Sequence, residues 1–251
     1  MTTLVLGGTG ATGLLVVQQL LKKEQRVKLI VRSTMKLPLK VISSELVEIT
    51  QANIAELSER QLIEQVQGCS HVISCLGHNL SIKGMFGHPR RLVTQVMERV
   101  CQAIEKSNPA NPVKLILMST TGFQDKVNGE KVSIAHRAVV ALIRLTLPPH
   151  SDNEHAAKHL QSLPPSKSQH IQWVGIRPDS LVNQPDSSHY DLHPSPVCDP
   201  IFDARKTSRI NVAHFMVELS SNPILWQHWQ SRFPVIYNRS GVEESLERGI
   251  T

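Results

Sequence analysis

Apolar residues fall along this chain in two rhythms. Short, nearly unbroken runs come at Leu4–Leu6, Arg26–Val31, Glu45–Thr50, His71–Cys75, Val113–Met118, Ile171–Ile176 and Pro234–Tyr237. Runs of this length without strict polar alternation predict strands buried on both faces, as in a parallel sheet. Between them the spacing changes to three and four. Leu14, Leu15, Val17, Leu20 and Leu21 follow the first strand at helical spacing. Further helices are predicted over Ile54–Val66 and over Arg90–Lys106, the second opened by Pro89 and carrying Leu92, Val96, Val100 and Ile104 on one face. Ile134–Leu147 predicts a helix closed by Pro148-Pro149, and another begins with Ser151 and Asp152 as N-caps. Asn211 caps a last one, with Val212, Phe215, Met216 and Leu219 turned inward. The alternation predicts an α/β fold built on a doubly wound, mostly parallel sheet.

Two stretches break the rhythm. His78–His88 is glycine-bearing and irregular, in a position to border a site. Gln184–Phe202 is rich in Pro, Ser, His and Asp and too long for a plain connector. With the residues up to 210 it predicts a lid, or a small C-terminal substrate lobe. Residues 1–239 read as one domain and 240–251 as a loose polar tail.

Composition narrows the class. At 251 residues the chain can bury a full α/β core. The net charge of +6 is carried by scattered residues, with Arg90-Arg91 the only adjacent arginine pair, so nucleic acid is not the expected partner. No apolar run approaches the ~18 residues needed to span a membrane, and nothing resembles a signal peptide. Cys69, Cys75, Cys101 and Cys198 form no C-x-x-C pair, so neither a metal site nor a disulfide framework is expected, and a reducing cytoplasm is the expected location.

The chemistry begins where the first strand ends. TTLVLGGTGATG places four glycines within seven residues between a strand and a helix. Gly7 lets the chain turn sharply, Gly10 admits a pyrophosphate close to the backbone, and Gly13 lets the helix pack on the strand. Thr9, Ala11 and Thr12 complete the turn and the helix start, whose free N–H groups and positive dipole suit phosphates. After the second strand, Arg32 and Ser33 stand where a carboxylate would select NAD; an arginine there suits the 2′-phosphate of NADP instead. NADP(H) is therefore expected over NAD(H).

The GGTGATG spacing resembles the extended and atypical short-chain dehydrogenase/reductase families, which bind NAD or NADP on a Rossmann fold. The resemblance implies that Asn53 faces the adenine amino group, that Leu76 and Gly77 pass under the adenine ribose, and that Ser119 and Thr120 reach the nicotinamide and its carbonyl substrate. Arg177-Pro178 resembles the NmrA-like members, in which the backbone of the Pro178 loop runs beside the nicotinamide.

The chain departs from these families at one point. Most active relatives carry Tyr-x-x-x-Lys, whose lysine lowers the phenol pKa for proton transfer. This chain has only Tyr190 and Tyr237, neither followed by that lysine. The family register puts Pro149 in the tyrosine slot and Asn153 in the lysine slot. His155 and His159 share a helix face but lack a third metal ligand, and His150 lies just before them. The catalytic residue stays unassigned, with Ser119, Thr120, Asn153 and His155 as candidates. The basic stretch Arg205–Arg209 either binds an anionic substrate or is plain surface. The pattern is similar to flavin and biliverdin reductases that also lack the tyrosine. It implies an NADPH-dependent reductase of a flavin, quinone or tetrapyrrole-like small-molecule acceptor. The alternatives are a non-catalytic NADP(H) sensor of the NmrA type, which would need a protein partner, and an epimerase- or dehydratase-like enzyme.

Overall fold

The computed structural model describes residues 1–77, 91–130, 148–164, 169–200 and 202–239. In chain order the elements are β1 (Thr2–Leu6), α1 (Ala11–Lys22), β2 (Arg26–Val31), α2 (Leu39–Ile42), β3 (Val47–Gln51), α3 (Glu59–Val66), β4 (His71–Ser74) and α4 (Leu92–Ser107). There follow β5 (Val113–Met118), α5 (Pro148–Gln161), β6 (Ile171–Pro178), β7 (Ser180–Val182), β8 (Tyr190–His193), β9 (Lys206–Ser208), α6 (Arg209–Ser221), α7 (Pro223–Trp229) and β10 (Val235–Asn238). The main sheet runs β3-β2-β1-β4-β5-β6-β10-β8, parallel except for β8, which pairs antiparallel with β10. This is the doubly wound Rossmann-like arrangement. A separate two-stranded sheet, β7-β9, sits beyond the end of β6.

The central strands are mostly apolar because both faces are covered. Leu4 and Leu6 turn to one face with Val72, Leu115 and Leu117, under α3, α4 and α5. Val5, Leu29, Ile73, Ile116 and Val174 turn to the other, under α1 and α6. Period-two alternation is thus present but hidden, since both sets meet helices. No helix among the described residues is long and apolar enough to cross a membrane.

Helix starts differ from expectation in three places. The helix expected from Ile54 begins at Glu59, because Ser58 and Gln61 form a capping box and residues 53–57 fold as a separate turn. The last long helix is capped by Ser208, which accepts from the Asn211 amide, while Asn211 lies one turn inside, buried and bonded to Ser188 and Asn238. Ser151 and Asp152 are not N-caps of their own helix; α5 takes in Pro148 and Pro149 as well. The Asp152 carboxylate instead caps α4, accepting from the Val93 amide at 2.8 Å and the Thr94 amide at 3.0 Å. Inside the stretch Gln184–Phe202, β8 joins the main sheet. The irregular segment His78–His88, the helix Ile134–Leu147 and the tail 240–251 lie outside the described residues.

One core residue gives the fold a pH dependence. His71, on β4 beside Thr3 of β1, is 1% exposed, its Nδ1 3.0 Å from the Ser70 hydroxyl. Burial, aided by the charges of Lys114 and the N-terminal amine, lowers its imidazole from the ordinary 6.5 to about 4. The folded protein therefore holds the ring neutral while the unfolded chain takes up a proton near pH 6.5. Stability present above that pH is lost as the pH falls toward 4. At ~1.4 kcal/mol for each pH unit between the two values, the loss is about 2 kcal/mol at pH 5. Urea unfolding of the wild type and His71→Gln at neutral pH and near pH 5 will test this. Equal acid sensitivity in the two proteins would remove His71 as the cause.

Candidate functional site

In an open α/β sheet the ligand crevice lies beyond the carboxyl ends of the strands, where strand order reverses. Here that point falls between β1 and β4, the first flanked by β2 and the second by β5. The glycine turn leaves β1 at this place. Gly7 adopts φ +76°, and a Cβ on it would stand 2.6 Å from the Cys75 carbonyl oxygen, so the turn lies against the exit of β4. The Gly10 amide donates to the Gly7 carbonyl at 2.9 Å, closing the turn. Gly10 is the N-cap of α1 and offers no side chain, and the first turn of α1 carries no acidic residue. Gly10 and Ala11 are exposed, Thr9 is half-buried, and Thr12 and Gly13 are buried. The uncapped amides and positive dipole of α1 therefore open onto the crevice, and this cradle fits a dinucleotide pyrophosphate.

On the β2 side, Arg32 is exposed and makes no ion pair among the described residues. The Ser33 hydroxyl accepts from the Met35 amide at 3.3 Å and keeps its own proton to donate. The loop after β3 reaches the same corner, because the Ala52 amide donates to the Val31 carbonyl. Asn53 begins a tight turn there: its Oδ1 accepts from the Ala55 amide at 3.3 Å and its Nδ2 donates to Glu56 at 2.7 Å. Three carbonyls of that turn, from Ile54, Ala55 and Leu57, bond the Arg99 guanidinium of α4. Leu76 is half-buried and Gly77 exposed, directly after β4.

On the β5–β6 side the strand exits are tied together. The Ser119 amide donates to the Ile176 carbonyl at 2.8 Å, the Thr121 amide to Pro178 at 3.4 Å, and the Thr121 hydroxyl to Asp179 at 3.3 Å. Ser119 is 6% exposed and its hydroxyl has no partner among the described residues. Thr120 is half-buried, its Oγ1 accepting from the Gly122 amide. Pro178 is buried at the end of β6. On α5, the Asn153 Oδ1 is enclosed without a partner among the described residues. His155 Nδ1 lies 2.6 Å from the Ser151 carbonyl and so carries the proton, leaving Nε2 as an acceptor in the neutral ring and a donor in the protonated one. No group of three potential metal ligands occurs among the described residues.

The two tyrosines are unsuited to a proton relay. The Tyr190 phenol meets His214 Nδ1 at 2.9 Å and is pushed up to about 12 by burial and by the charge of Glu218. Tyr237 is fully buried, 3.7 Å from the Cys198 sulfur, and burial raises its phenol further. A relay phenol needs its pKa lowered, the opposite direction.

Three residues take structural roles that the sequence does not announce. Arg177, 0% exposed, donates to the Phe233, Phe123 and Pro194 carbonyls and pairs with the buried Glu130 carboxylate at 2.6 Å. It joins the loop after β5 to the segment after β8. Asp152 fastens α5 to the head of α4, and Arg99 holds the turn after β3. Apart from Pro194, each partner is more than forty residues away along the chain, so no local pattern announces it.

A family model described as NAD(P)H-binding matches residues 7–223. A search of curated proteins finds no match. Among solved structures, the chain is similar to a short-chain dehydrogenase/reductase from Veillonella parvula in complex with NADP, at 15% identity and TM-score 0.68, covering 95% of each chain. It is similar to the anaerobillin reductase ChuY from Escherichia coli O157:H7, at 15% identity and TM-score 0.67, over 96% of this chain and 98% of that one. The oxidoreductase ylbE from Lactococcus lactis matches at 15% identity and TM-score 0.66, over 99% and 96%. At these identities the likeness is one of fold.

Proposed function

The chain belongs to the NAD(P)H-binding family, and from that premise we propose that it is an NADPH-dependent reductase of a flat, conjugated acceptor such as a flavin, quinone or tetrapyrrole. The observation that carries the cofactor half is the uncapped glycine turn at the strand switch point with the unpaired Arg32 one strand away. When bound, the cofactor supplies hydride. The amides at the head of α1 hold its pyrophosphate, while Arg32 grips the 2′-phosphate through its planar fork and lays a face on the adenine. Ser119, buried and with its hydroxyl unpartnered among the described residues, orients a polar group at the nicotinamide end beside Thr120 and the Pro178 loop.

The acceptor half rests on the chemistry of proton supply. Both phenols are bonded elsewhere and raised in pKa. A conjugated acceptor spreads the negative charge it receives, so water, or His155 Nε2 in its protonated form, suffices where a simple carbonyl would need a placed acid. The same raised phenols favour a second reading, an NADP(H) sensor without turnover that signals to a protein partner.

The two readings part in one experiment. Purified protein is mixed with NADPH and a panel of flavins, quinones and biliverdin, and the reduced-cofactor absorbance is followed. Oxidation above background supports the reductase. Tight cofactor binding with no oxidation sinks it and leaves the sensor. In the same preparation Arg32→Ala is expected to weaken NADPH by about 10- to 100-fold, the loss of one bidentate charge-assisted pair, and NADH by less than about threefold. Equal losses for the two would refute the phosphate role.

A further inference from the structure

The turn after β3 has an unusual support. Three carbonyls within four residues, those of Ile54, Ala55 and Leu57, converge on one half-buried guanidinium. Arg99 Nη1 reaches Ile54 at 3.1 Å and Ala55 at 2.8 Å, and Nη2 takes Leu57. No acidic side chain pairs with Arg99 among the described residues, so its charge is spent wholly on these carbonyls. Carbonyl dipoles aimed at one point repel one another, and a cation with a rigid fork of donors is what lets the backbone keep that shape.

The start of the same turn adjoins the segment that leads into Arg32. The Ala52 amide fixes its start to Val31, one residue before Arg32. The Asn53 side chain and carbonyl fold over the Ala55 and Glu56 amides. Whatever sets the turn therefore sets the distance between Asn53 and Arg32. We propose that Arg99 is a positioning residue for the adenosine end of the dinucleotide site, acting through the turn 53–57. This rests on the cofactor reading. Arg99 touches no ligand; it holds the wall that does.

Arg99→Ala and Arg99→Lys separate positioning from plain stability. The probes are NADPH and 2′,5′-ADP, which carries the adenosine end alone. Arg99→Ala is expected to weaken both by about tenfold, the scale of one lost charge-assisted hydrogen bond's worth of ordering. The KM for NADPH should rise in parallel, with kcat at saturating NADPH within about twofold of wild type. Lysine supplies the charge without the fork and recovers part of the affinity, and it decides the matter should the alanine protein fail to fold. Variants that melt earlier yet bind 2′,5′-ADP as tightly as wild type would overturn the proposal, leaving Arg99 a fastener of α4. Wild-type protein that binds neither probe would remove the cofactor reading, and the proposal with it; wild-type binding matched by both variants would remove the proposal alone.

Discussion

Arg177→Met is expected to destabilise the protein by roughly 3–5 kcal/mol, a large part of the ~5–15 kcal/mol that holds a domain folded. The size reflects the groups that methionine leaves behind. Glu130 is 5% exposed and keeps its carboxylate in the interior with its counter-charge gone. The carbonyls of Phe233, Phe123 and Pro194 lose their donor at the same time. Methionine has similar length and is apolar, so the loss is one of pairing more than of volume. Removing both charges tests that account, since a buried ion pair replaced whole by apolar groups is often close to neutral. Urea unfolding should therefore find Arg177→Met/Glu130→Leu more stable than Arg177→Met alone. A single variant within about 1 kcal/mol of wild type would mean that water reaches Glu130 and that the latch is weak.

That latch also explains the arginine of the Arg177-Pro178 pair. In the sequence it stands beside Pro178 and invites a ligand role by association. In the structure it is fully buried, binds carbonyls from three separate segments, and so fixes the strand end on which Pro178 sits. The arginine holds the frame of the strand end.

How much was legible depends on the range of the interactions. The central strands are readable because each holds a short, nearly unbroken apolar run, a property local to a few residues. The glycine turn was readable because strand, turn and helix are contiguous. Helix starts were misplaced where capping was not settled by residue type. Ser208 and Asn211 are both able caps within one turn, and Ser208 takes the role because its hydroxyl meets the Asn211 amide. Asp152 has the right chemistry for an N-cap but serves a helix 58 residues earlier. Lone arginines carry even less signal. Arg99 looks like any solvated basic residue until the fold brings carbonyls to it. The missing Tyr-x-x-x-Lys was plain in the sequence; the raised pKa of the two remaining phenols required their surroundings.

Gly13→Ala is expected to weaken dinucleotide binding by about 100-fold, against the usual rule for glycine inside a helix. In an open helix the change would stabilise by about 1 kcal/mol. Here the added Cβ would stand 2.2 Å from the Gly7 carbonyl oxygen, 2.8 Å from its carbon and 3.1 Å from the Gly8 Cα. All three are backbone atoms of the turn, so no side chain can swing aside, and relief requires α1 to move off β1. The strain belongs at or above the top of the ~1–3 kcal/mol range for overpacking. The move also withdraws the amides at the head of α1 from the pyrophosphate. Two charge-assisted bonds lost at roughly 1.5 kcal/mol or more each weaken binding by about 100-fold. Gly10→Ala separates the two effects. Its Cβ would meet only the Gly7 carbonyl oxygen, at 3.1 Å, and otherwise projects into the space a phosphate would enter. It should therefore cost affinity for NADPH while leaving the melting temperature near that of wild type, whereas Gly13→Ala should lower both. A Gly13→Ala protein that melts and binds like wild type would mean that α1 does not rest on the turn, and the cradle would have to be sought elsewhere.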